Sequence, residues 1–128
     1  MAMSMRTPLK TVRHLGSAKE GTDHFWKQRV TAVANIVLVT GLVWLVVSLV
    51  GADHATVKAA ISNPLVALGL LMLVLSGIIH MRLGMQVIIE DYIHGEGSKI
   101  VLLMLNTFFT IVVGFACVFA VLKLSFGA

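Results

Sequence analysis

An all-α membrane protein with three transmembrane helices is the fold class that this sequence predicts. Composition, three long apolar runs and a basic segment confined to one end carry that prediction. Of 128 residues, 58% are hydrophobic and 12% charged, and the mean hydropathy is +0.94. Soluble domains carry about 25% charged residues, so the composition argues against a soluble globular enzyme. A disordered chain needs low hydrophobicity and is disfavoured too. The length suits one domain and leaves no room for a soluble catalytic domain beside a membrane bundle.

Residues 1–29 read as a cytoplasmic tail with an interfacial segment. Six of the ten Lys and Arg lie there: Arg6, Lys10, Arg13, Lys19, Lys27 and Arg29. The net charge of +4 is therefore a membrane flank rather than a nucleic-acid surface. Residues 1–16 read as mobile. Thr22 and Asp23 are candidate caps for the first helix, and Phe25 and Trp26 fall at the aromatic-belt level.

The first span is 30–50, 21 residues without a charge, or about 31 Å of helix against a ~30 Å hydrocarbon core. It is too long for a signal-peptide core, and two more spans follow. Residues 51–63 form a periplasmic loop in which Asp53 and His54 are read as solvated. Pro64 suits a first helical turn after Ser62 and Asn63 as cap candidates. The second helix then runs 64–92, with a more polar cytoplasmic extension after Ile79. A cytoplasmic loop, 93–99, leads to the third span, 100–122, 23 residues without a charge. Residues 123–128 form a periplasmic C-terminus. The Lys and Arg excess of the tail sets the N-terminus inside. Cys117, alone in an apolar run, reads as a buried structural thiol.

Polar residues within spans are functional candidates. Asn35 and Asn106 read first as glue between helices, in company with Thr40, Gly41, Ser48, Thr107, Thr110 and Gly114. The second helix carries a stronger signal. At ~100° per residue, Leu73, Ser76, Gly77, His80, Gly84, Val87 and Asp91 share one face. The small residues leave space beside the His80 imidazole in which a flat cofactor can lie. Three roles stay open for His80 on these grounds: a hydrogen bond to a neighbouring helix, a haem ligand, or a proton relay. A bis-histidine haem needs a second His at the same depth, which this chain lacks, so that ligand would come from another protein chain. Glu90-Asp91-Tyr92 reads either as a solvated helix end or as a quinone site, where a phenol donates to a quinone carbonyl and a carboxylate orients donors and passes protons. Arg29 and Arg82 have three open roles at the inner face: pairing these carboxylates, contacting lipid phosphate, or meeting haem propionates.

The segment His80–Tyr92, HMRLGMQVIIEDY, resembles the second helix of the smaller of the two hydrophobic membrane anchors of succinate dehydrogenase. Its His…Gly…Asp-Tyr spacing fits that family without a gap. The tail segment from Ser17 to Ala32 is similar to the alphaproteobacterial form, and the likeness covers most of residues 14–125. This resemblance implies a heterodimeric anchor bundle in a four-chain succinate:ubiquinone oxidoreductase (respiratory complex II). It would sit in the bacterial inner membrane and serve the tricarboxylic acid cycle and respiratory chain. The partners would be the flavoprotein, the iron–sulfur protein and the cytochrome b anchor of that complex, with membrane lipid and no nucleic acid. The resemblance places His80 as an axial ligand of the haem b iron, shared with the cytochrome b anchor. It places Tyr92 at ubiquinone, with Asp91 supporting that site. Such a chain is one component of an enzyme and catalyses nothing alone. Rival readings are a fumarate reductase anchor, a haem-free structural anchor and a component of a small membrane transporter.

Overall fold

The computed structural model describes residues 7–13 and 21–127, which contain five helices and no strand. These are α1 (Pro8–Val12), α2 (Gly21–Ser48), α3 (His54–Ser62), α4 (Pro64–Tyr92) and α5 (Glu96–Phe126). Arg6, His14 and Lys19 of the basic tail lie outside the described residues, as does most of the segment read as mobile.

Three helices, α2, α4 and α5, are long and apolar enough to cross a membrane. Each extends past its apolar run. Hydropathy marks only the part that suits hydrocarbon, whereas backbone hydrogen bonding continues into the interface. Thus α2 begins at Gly21, nine residues before Val30, and Thr22 and Asp23 lie within its first turn. Asp23 is well placed there for the positive end of the helix dipole, and it pairs with Lys27 one turn on. Past Ser48 the chain turns through Gly51, whose φ of 79° is costly for any residue with a Cβ.

Within the segment read as a loop, α3 forms. Asp53 caps it by accepting from the Thr56 amide at 3.1 Å. Those hydrogen bonds hold the Asp53 carboxyl below its ordinary value. Asn63 then caps α4, accepting from the Leu65 amide at 2.9 Å, with Pro64 at the first helical position where its missing N–H costs nothing.

α4 is the central element. Among the described residues α2 packs on one side of it and α5 on the other, and α2 and α5 do not touch. The three helices therefore form an open antiparallel row. The α4–α5 seam closes at Gly114, where a Cβ would fall 2.8 Å from Ile78 Cδ1. Deeper, Asn106 and Thr110 are buried, and Thr110 is only 1% exposed. The short α3 is tied to the end of α5: Ser62 donates to the Leu124 carbonyl at 3.3 Å, and Ser125 to the Ile61 carbonyl at 3.2 Å.

Two outcomes follow. Gly114→Ala displaces only the tip of the flexible Ile78 side chain and is tolerated, whereas Gly114→Leu overpacks the seam and destabilises it by about 1–3 kcal/mol in reversible unfolding in detergent. Asp53 titrates below the ordinary aspartate value, read from its carboxyl carbon shift. Because its folded pKa is depressed, its capping contribution is present above the ordinary carboxylate range and is lost as pH falls through the folded value.

Candidate functional site

Between α2 and α4, toward the Gly21 end of α2, lies a cleft of about 490 Å³. Gly21, His24, Phe25, Gln28, Arg29 and Ala32 line it from α2, and His80 and Val87 from α4. The small-residue face of α4 is thus the face that meets α2. A Cβ on Gly77 would meet nothing within 4 Å, and one on Gly84 would come only to 3.7 Å from Gln28 Nε2. Both glycines keep the helix surface beside the imidazole clear.

His80 is half-buried, and its hydrogen bond within the described residues is through Nδ1, 3.1 Å from the Thr31 hydroxyl. Thr31 is buried. Its hydroxyl also lies 2.7 Å from the Lys27 carbonyl and 3.2 Å from the Gln28 carbonyl. One turn before His80, the Ser76 hydroxyl donates to the Thr31 carbonyl at 3.3 Å. Two contacts from α4 therefore grip one residue of α2. Among the described residues, Nε2 of His80 is the ring nitrogen left without a partner.

More polar atoms at this seam are unsatisfied. Among the described residues, His24 Nε2 and Gln28 Oε1 are buried without a hydrogen-bond partner, and Asn35 Oδ1, further along α2, is in the same state. A buried unpartnered polar atom costs roughly 1–3 kcal/mol, and three on one helix face mark a surface shaped for something polar. His24, Gln28, Thr31 and Asn35 recur at +4, +3 and +4, the repeat of a single helix face. That polar stripe is present in the sequence. Only its Asn35 stands out there, because the stripe straddles the boundary between tail and span.

Asn106 behaves as helix glue, its amide donating to the Arg82 carbonyl at 3.0 Å. Arg82 itself is exposed. The Arg29 guanidinium lies 5.1 Å over the Phe25 ring, a cation–π contact. The one ion pair among the described residues is Lys27 with Asp23, so neither arginine pairs with a carboxylate there. Cys117 is free and half-buried in α5.

The carboxylates and the phenol lie about three helical turns past His80. Tyr92 is twelve residues on, about 18 Å along the axis at ~1.5 Å per residue. The structure therefore does not bring Tyr92 and His80 into one pocket. Asp91 projects from nearly the same face of α4 as His80, and Tyr92 lies a further ~100° around. Tyr92 is 74% exposed, and Asp91 is exposed too. Within the described residues neither side chain forms a hydrogen bond. Glu90 is the one engaged: its carboxylate accepts from Gln86 at 2.8 Å, and its carbonyl from Lys99 Nζ at 3.0 Å. The Lys99 contact ties the start of α5 to the end of α4, while Asp91 and Tyr92 remain exposed.

Residues 3–121 match the model of a family described as the succinate dehydrogenase/fumarate reductase transmembrane subunit. Among curated relatives, the succinate dehydrogenase hydrophobic membrane anchor subunit of Paracoccus denitrificans is 33% identical over 122 residues, 95% of this chain and 94% of the relative. The protein of the same name from Rickettsia bellii is 29% identical over 121 residues, 94% and 97% of the two chains. The succinate dehydrogenase membrane anchor subunit of Reclinomonas americana is 30% identical over 95 residues, 72% and 79% of the two. No solved structure gives a significant match.

Replacing Asn106 by Leu removes the cross-helix bond to Arg82 and costs about 0.6 kcal/mol, the average for such bonds in membranes. Reversible unfolding in mixed micelles measures it.

Proposed function

This chain belongs to the succinate dehydrogenase/fumarate reductase transmembrane subunit family, and from that premise we propose that it is the hydrophobic membrane anchor of a succinate:ubiquinone oxidoreductase. In this reading it supplies one axial ligand to a haem b and one wall of the site where ubiquinone is reduced. The observation that carries the reading is His80: a half-buried imidazole in a spanning helix, at a cleft, with one nitrogen engaged and the other free. The succinate direction is favoured over a fumarate reductase anchor by the relatives described above, all of which are named for succinate dehydrogenase.

The residues at the cleft fit a haem. His80 offers Nε2, the glycines leave a flat surface, and His24 and Gln28 hold polar atoms in need of partners. A haem bound there supplies one-electron storage in its iron. His80 would hold that iron through Nε2, and a second ligand would have to come from another chain.

At the other end of the helix, Tyr92 donates its hydroxyl hydrogen bond to a quinone carbonyl oxygen. Asp91 accepts from neighbouring donors and returns protons to the site. Ubiquinone takes up two electrons, delivered singly by an iron–sulfur protein, and two protons, and leaves as ubiquinol. The exposure of both side chains supports a site closed by partner chains. With the basic tail on the cytoplasmic side, Asp91 and Tyr92 lie at the inner face, where a peripheral electron donor can reach them. The transmembrane location is the inner membrane of a bacterium.

In the purified complex, His80→Ala removes or strongly alters the b-type signal of the reduced-minus-oxidised spectrum. An unchanged signal contradicts the ligand role. Tyr92→Phe lowers succinate:ubiquinone reductase activity by about 100-fold, the lower range for loss of a positioned proton donor. Succinate oxidation with an artificial dye that bypasses the quinone site stays intact. Equal loss of both activities contradicts the quinone role.

A further inference from the structure

We propose that Thr31 is a positioning residue for the haem ligand: its hydroxyl holds His80 in the tautomer protonated at Nδ1 and so leaves the Nε2 lone pair for the iron. The proposal rests on the haem reading of His80 given above.

The argument is a count of hydrogens. A threonine hydroxyl has one hydrogen to give and two lone pairs to receive. The backbone carbonyls of Lys27 and Gln28 can only accept, and the Lys27 contact, at 2.7 Å, is the shortest that Oγ1 makes. The hydroxyl hydrogen goes there, in the back-bond that threonine commonly makes to the preceding turn of a helix. Nδ1 of His80, 3.1 Å from the same oxygen, then faces a lone pair. Only a protonated Nδ1 makes a bond across that distance. A neutral imidazole carries a single N–H, so Nε2 is left bare.

The opposite tautomer would set two lone pairs against each other in the helix seam and place the N–H on Nε2. Thr31 cannot easily move away to relieve that clash. Its carbonyl is held by Ser76, one turn before His80 on the same face of α4, and its side chain is buried. Ser76, Thr31 and His80 thus form a clamp in which the helix–helix contact and the ligand orientation are one feature. Metal-bound histidines ordinarily donate their second N–H to an oxygen, which fixes the ring and raises its basicity. A more basic ligand favours ferric over ferrous iron and lowers the haem potential.

The test compares three variants in the assembled complex. Thr31→Val keeps the shape and removes the hydroxyl, Thr31→Ser keeps the hydroxyl, and His80→Ala removes the ligand. With Thr31→Val the low-spin haem resonance shifts, the midpoint potential rises, and haem affinity falls roughly 10-fold, the low end for losing such a partner. Thr31→Ser stays close to the native protein in all three readouts. Should Thr31→Val block assembly, Thr31→Ala provides the same comparison against Thr31→Ser. Native resonance and potential in the variant without the hydroxyl overturn the proposal, as does a Thr31→Ser variant that shifts equally. If His80→Ala leaves the haem unaltered, the ligand reading itself fails. If it abolishes the haem while loss of the Thr31 hydroxyl changes nothing, only the role of Thr31 fails.

Discussion

An imidazole in a membrane-spanning helix has two nitrogens to place and few partners to place them against. α2 resolves one of them through Thr31, whose own hydrogen is taken up by its helix backbone. The cost of unpartnered polar groups in hydrocarbon gives this contact an influence beyond its modest energy. It sets the depth at which α2 crosses α4, since Ser76 and His80 grip the same residue. It also determines which ring nitrogen is left available, on a residue that lines a cleft.

The open row of helices gives α4 two different seams. Toward α5, it packs Ile78 against Gly114 and accepts the Asn106 amide on a backbone carbonyl. Among the described residues, no buried side-chain polar atom on that seam lacks a partner. Toward α2, polar atoms remain unmatched, and His24, Gln28 and Asn35 each keep one in reserve. One seam is internally satisfied, and the other keeps polar atoms without partners among the described residues. The exposed Asp91 and Tyr92 extend the same logic to the helix end, where Lys99 and Glu90 tie α5 to α4 and leave their neighbours for a partner.

Three spanning helices are legible in the sequence because long charge-free runs have few other stable outcomes in a polypeptide. The cap at Asn63 and the start at Pro64 are legible for a local reason, the missing N–H of proline. The helix His54–Ser62 is not, since a nine-residue segment of mostly Ala, Thr, Val and Lys has weak periodicity, and its decisive signal is one bond from the Thr56 amide to Asp53. At the site, the small-residue face around His80 can be read from helical spacing. Thr31 cannot be assigned its partner that way, because 49 residues separate it from His80 and only the crossing of two helices joins them. The different directions taken by Glu90 and its neighbours are also hidden, since adjacent residues in sequence diverge by ~100° on a helix.

The most direct test of this account is a high-resolution density map of the complete purified complex around His80. The account predicts planar porphyrin density bound through His80 Nε2, with Nδ1 within hydrogen-bonding distance of the Thr31 hydroxyl and a histidine of another chain on the opposite face of the iron. A haem bound through Nδ1, or a cleft beside His80 filled by lipid or by a partner side chain, would contradict it.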